Sequence, residues 1–258
     1  MAKATRGGKR VTIQIPVTPP VTPPTPPTPA PAEPEEEPIT AAEFDKMTVD
    51  EKIDAVEQAI KKDVPDFFND NSYERFTYNI EGVDGKPTVV DENTLDGMKG
   101  RELFRTVHGV YDRKNDVNYT AKQIYNQVAR GTNTRASNDG GSAYGRGLYF
   151  AGTYNASVVY MSYSTNDNLV MRAKITSGKG CDYYTAYNAV KQEMAKGTKM
   201  GRLLSKCDND SRTSIWARIN GYSYLREGNY NKGEYHVILD RRCLSLSSKT
   251  AKPSGGGW

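Results

Sequence analysis

The sequence predicts an α+β fold. Short strand-like runs are mixed with helical segments without the regular β-α-β alternation of a doubly wound sheet, and tyrosine dominates the aromatics, with 17 Tyr against 6 Phe and 2 Trp. The hydrophobic share of 36% is enough for one modest core in 258 residues. Tyrosines suit its strands and clefts, because a phenol buries its ring while its hydroxyl stays satisfied at a wet edge.

Residues 16–38 hold 11 of the 14 prolines, interleaved with Thr, Val and finally Glu. Repeated Pro-Pro steps exclude helix and ladder and favour an extended polyproline II spacer, so residues 1–38 are expected to be a disordered, basic and Pro-rich tail. It is either a passive linker or a docking arm for a larger assembly. The four cations Lys3, Arg6, Lys9 and Arg10 offset Glu33, Glu35, Glu36 and Glu37, so the net charge of +4 belongs to the rest of the chain. That mild excess argues against a nucleic-acid binder with a dense phosphate-contacting face and leaves room for a nucleotide-sized anion. Cys181, Cys207 and Cys243 are odd in number, far apart and without metal spacing, which predicts no disulfide scaffold and a reducing compartment. No apolar run reaches membrane-spanning length, so a soluble protein of the (host-cell) cytoplasm is expected, without a membrane partner.

Folded sequence is expected from residue 39. Thr40 with Glu43 and Thr48 with Glu51 have capping-box spacing, and Val49, Ile53, Val56 and Ile60 then recur at helical spacing up to Pro65. Residues 39–100 therefore read as a helical N-terminal extension packed on the core, with the aromatic-rich stretch 67–80 over its edge and a turn at 83–87. Strands are expected at 103–107, 148–151, 169–175, 234–239 and 243–246, and helices at 120–129, 155–163 and 186–196. The Gly/Ser/Asn-rich loop 131–147 is long enough to be functional, and residues 249–258 read as a flexible tail.

Two histidines, His108 and His236, neither with metal-ligand spacing, predict no metal site. Gly145-Arg-Gly147 is too short for a dinucleotide fingerprint and precedes its strand instead of following one. What remains is a set of polar residues at strand ends: His108-Gly109, Tyr149, Tyr160 eleven residues later, and Glu234.

Val107-His108-Gly109, then Gly145-Arg-Gly-Leu-Tyr-Phe-Ala151 with Ala156-Ser-Val-Val-Tyr160, then Gly233-Glu234-Tyr235, together resemble the ADP-ribosyltransferase superfamily. The phrasing is most similar to its His-Tyr-Glu branch, shared by diphtheria-type toxins and poly-ADP-ribose polymerases. The resemblance covers roughly residues 101–248, and its middle block is the most distinctive. Gly85-Lys-Pro-Thr-Val-Val-Asp91 faintly resembles transferase-like proteins of bacteriophages.

The resemblance implies an ADP-ribosyltransferase-like split β-sandwich of two small, mostly antiparallel sheets with flanking helices, and a mono-ADP-ribosyltransferase using NAD as substrate. Breaking the nicotinamide-ribose bond spreads positive charge over the ribose, so a fixed carboxylate lowers the barrier. Glu234 would supply it, acting on a ribose hydroxyl. His108 would hold the adenine-side ribose, the Gly109 backbone the carboxamide, and Tyr149 and Tyr160 the two faces of the nicotinamide ring. Arg105 on the same strand is the alternative to His108, since another branch of the superfamily uses an arginine there. Lys232 stands two before Glu234, where arginine-modifying members carry Glu or Gln, so an arginine acceptor is disfavoured. Arg130, Arg135 and Arg146 would shield NAD or contact its phosphates, or simply be solvated. The acceptor is expected to be a protein. The rival expectation is a catalytically inactive module of the same fold, a structural component of a phage virion anchored by its Pro-rich tail.

Overall fold

The computed structural model describes residues 39–63, 86–91, 95, 102–112, 116–131, 144–159, 167–228 and 233–250. Residues 1–38 and 251–258, the stretch 67–80, most of the 83–87 turn, and Arg135, Tyr160 and Lys232 lie outside these residues. Among the described residues the chain is a mixed α/β protein with seven α-helices, one eight-stranded, mostly antiparallel sheet and one two-stranded ribbon.

Helix α1 (Ala41–Lys46) starts at Thr40, whose hydroxyl accepts the Glu43 N–H while the Glu43 carboxylate accepts the Thr40 N–H. Thr48 and Glu51 form the same reciprocal pair at the start of α2 (Val49–Asp63). Each pair satisfies donors that a helix N-terminus leaves without partners. The α2 stripe buries Ile53, Val56 and Ile60 at 2%, 0% and 0% exposure, but Val49 stays 47% exposed. Ile39 and Met47, entering just before it, pack against that core instead.

The strands are β1 (Thr88–Val90), β2 (Leu103–His108), β3 (Val110–Asp112), β4 (Val117–Tyr119), β5 (Leu148–Ala151), β6 (Asn168–Ile175), β7 (Gly180–Asp182), β8 (Tyr224–Glu227), β9 (Tyr235–Ile238) and β10 (Leu244–Ser247). The large sheet runs β1-β10-β6-β2-β5-β9-β8-β7, parallel only at its two outer pairs, and β3-β4 form the ribbon. The two small sheets of the sequence expectation are thus fused into one. The fusion is thin: β2 pairs with β6 from Leu103–Ala173 to His108–Asn168, but with β5 only through Phe104–Ala151.

Strand alternation sorts side chains onto two faces. The cross-strand row Tyr149, Val237, Leu225 and Cys181 faces a core shared with α1, α2, α5 (Tyr183–Lys196), α6 (Lys199–Ser205) and α7 (Asn209–Ile219). Leu103, Val107, Leu148, Phe150, Met171 and Ile238 face the other way, onto a core closed by α3 (Ala121–Arg130). Helix α4 (Tyr154–Val158) lies along β2 and β5, with Tyr154 edge-on to Phe104. Residues 39–63 are built into the first core: Asp45 of α1 binds Arg218 of α7 at 2.9 Å and Arg242 at 2.6 Å, and both arginines also meet Asp240. No helix among the described residues is long and apolar enough to cross a membrane.

Candidate functional site

The three strands that carry His108, Tyr149 and Glu234 are consecutive in the sheet, in the order β2-β5-β9. Sheet pairing thus sets side by side strands that lie far apart in the sequence. Beyond Phe104–Ala151 the β2-β5 ladder is not continued, and a seam opens toward His108 on one side and Leu148 on the other. Glu234 sits at the closed end, its carbonyl accepting the Gly152 N–H at 2.7 Å. His108 lies four residue steps beyond Phe104 along β2, about 13 Å at ~3.3 Å per residue. A ligand touching both ends must therefore be long, on the scale of a dinucleotide.

His108 is half-buried, and its Nδ1 donates to the Gly109 carbonyl at 2.9 Å, since a carbonyl can only accept. In the tautomer protonated at Nδ1, Nε2 is the acceptor nitrogen, the role a ribose hydroxyl donor requires. Gly109 donates its N–H to the Asp167 carbonyl at 3.0 Å. A Cβ at Gly109 would stand 2.9 Å from Asp167 Oδ2 and 3.2 Å from the Tyr119 carbonyl, so the glycine has a packing reason of its own. Asp167 Oδ2 accepts the Ala121 N–H at the start of α3 at 2.8 Å, tying the end of β2 to that helix.

Tyr149 projects into the first core, where its hydroxyl donates to the Gly145 carbonyl at 2.5 Å and accepts the Tyr144 N–H at 3.1 Å. Burial pushes its pKa well above the usual phenol value, so it stays neutral. Gly147 has no room for a Cβ, which would meet Val237 Cγ1 at 2.6 Å. Arg105 is part-buried, and its Nη1 crosses the seam to donate to the Tyr149 carbonyl at 2.9 Å. Burial and the nearby Arg241 bring its pKa down to about 10, still charged at neutral pH.

Glu234 is 1% exposed. Its Oε1 lies 3.6 Å from Arg226 Nε and 3.7 Å from His236 Nε2, on the sheet face opposite the Tyr149 ring. The structure therefore brings the strands of His108, Tyr149 and Glu234 together, but directs the carboxylate and the ring to opposite faces at that point. Arg146 turns toward α7, with Nε 3.6 Å from Asp208, and Arg130 is exposed at the end of α3.

Several contributors carry no sequence signal. Ser157, 1% exposed on α4, accepts from the Thr106 hydroxyl at 3.5 Å on the His108 face of β2. Arg226 becomes a neighbour of Glu234 only through β8-β9 pairing. The internal arginine of an otherwise apolar strand is the one legible hint, and it points to Arg105. A separate cavity of about 410 Å³ lies between α5 and α7, lined by Tyr183, Tyr187, Lys191, Met194, Asn209 and Arg212. None of the expected site residues lines it, and it holds no histidine-carboxylate pair, so the seam is the better candidate for chemistry. No group of His, Cys, Asp or Glu able to hold a metal occurs among the described residues.

Comparison with family models, curated protein sequences and solved structures finds no significant match for this chain.

Proposed function

We propose that the chain is an NAD-dependent mono-ADP-ribosyltransferase with an ADP-ribosyltransferase-like fold, breaking the nicotinamide-ribose bond and passing ADP-ribose to a protein acceptor. The carrying observation is the adjacency of β2, β5 and β9 at a seam long enough for a dinucleotide. His108 Nε2 would accept from a ribose hydroxyl at the open end. Tyr149 and Tyr160 would sandwich the nicotinamide ring, and Glu234 at the closed end would stabilise positive charge developing on the ribose. For this the Glu234 carboxylate must leave Arg226 and His236 and come round to the face of the Tyr149 ring, and Gly109 must offer the second lone pair of its carbonyl, its N–H being already bonded.

Those two requirements favour a second reading, a catalytically inactive module of the same architecture. Nicotinamide release from labelled NAD separates the two. The enzyme reading expects turnover by the wild type and a loss of about 10²–10³-fold in Glu234→Gln, the range for removing one group that stabilises transition-state charge. A folded wild type that releases no nicotinamide leaves the inactive module.

A further inference from the structure

At the seam, Phe104 and Ala151 form the last backbone couple between β2 and β5. Continuing the antiparallel register would set Arg105 against Phe150 and Thr106 against Tyr149, and neither couple forms. The Tyr149 carbonyl is instead satisfied by the Arg105 guanidinium. A donor at the end of a long side chain holds a neighbouring strand farther off than a backbone N–H, which would draw the strands to about 4.8 Å.

We propose that Arg105 is a positioning residue, a pin across the seam that fixes the spacing between the strand ending in His108 and the strand carrying Tyr149. Two residues separate Arg105 from His108 along β2, and its acceptor is the main chain of Tyr149, so one bond couples the two groups assigned to opposite ends of the dinucleotide. Arg105 faces the α3 core with Leu103 and Val107, whereas His108 lies on the other face of β2. A guanidinium on that face, already bonded to the Tyr149 carbonyl, is turned away from a ligand seated against His108. Its Nε is buried without a hydrogen-bond partner, a cost that an apolar residue here would avoid. The inference rests on the proposed NAD reading for its functional consequence; the pin itself does not.

The test compares wild type, Arg105→Met and Arg105→Lys by amide hydrogen exchange and by calorimetric binding of a non-hydrolysable NAD analogue. In Arg105→Met, exchange at Leu148–Ala151 is expected to rise about ten- to a hundredfold, the factor for losing a hydrogen bond from a charged donor, while β6 and α7 stay protected. Analogue affinity is expected to fall with it, and Arg105→Lys, which keeps one charged donor, to fall between. Exchange that rises equally everywhere, or not at all, overturns the proposal. So does a loss of affinity without local exchange, which would make Arg105 a direct ligand. Local exchange in a protein whose wild type does not bind the analogue supports the pin and removes the dinucleotide reading. Should Arg105→Met not fold, Arg105→Lys carries the same comparison.

Discussion

Tyr149, proposed to stack on the ligand, also has a structural part. Its ring belongs to the first core, and its hydroxyl closes the loop entering β5 by bonding both the Gly145 carbonyl and the Tyr144 N–H. Tyr149→Phe keeps the ring and leaves the buried N–H without its acceptor, so urea unfolding should show a loss of about 1–3 kcal/mol. If the ring alone grips nicotinamide, analogue affinity in that variant stays near wild type. Gly109 makes the opposite point. Gly109→Ala drives a methyl group against Asp167 Oδ2 and the Tyr119 carbonyl, and overpacking of this kind costs about 1–3 kcal/mol on the same measurement. Cys243, whose thiol burial pushes up to about 12, should resist iodoacetamide in the folded protein and react at the rate of global unfolding.

At the scale of elements, what was legible followed from local physics. The strand Leu148–Ala151 is a bounded apolar run, and the helix after Thr120 begins with a capping box to Gln123 and ends on Gly131 at φ 70°. Capping geometry is written within four residues, so sequence spacing suffices; Thr120→Ala should cost about 1 kcal/mol in thermal unfolding. Helices α6 and α7 had no such clarity. In α7, Ser211, Thr213, Ser214, Ile215, Ala217, Arg218 and Ile219 are all buried, so no polar face marks the 3.6-residue period. Only the N-caps Thr198 and Asp208 announce these helices. The candidate site was legible as a set of strand ends, because its residues sit where apolar runs stop. Its geometry was not: which face Glu234 takes, and that Arg226 and His236 meet it, depends on pairing between β8 and β9. Nor does spacing show that β2 and β5 join through one couple with Arg105 completing the contact.

For the whole molecule, the Asp45–Arg218–Asp240–Arg242 cluster ties α1 to α7 and to the turn after β9, so residues 39–63 pack into the main core. Burial alone would raise the Asp45 pKa, but hydrogen bonds from Arg242 and Arg218 and their charges outweigh it and hold it below the usual value. The sign follows by linkage: a carboxylate depressed in the folded state contributes stability above its unfolded pKa of about 3.9, and that contribution is lost as pH falls through the folded value. Stability should therefore decline in acid below about pH 4, and Asp45→Asn should be less stable than wild type at neutral pH while losing less on acidification. Chemical denaturation between neutral pH and acid reads both. A variant with the same acid slope as wild type would remove Asp45 from the account.

The central claim is spatial, that one elongated dinucleotide occupies the seam between β2 and β5. Backbone amide shift mapping with a non-hydrolysable NAD analogue tests it most directly. Saturable changes are expected at His108, Gly109, Tyr149, Phe150 and Glu234, with Tyr187 and Lys191 at the α5-α7 cavity unmoved. Changes confined to that cavity, or none at millimolar analogue, would contradict it.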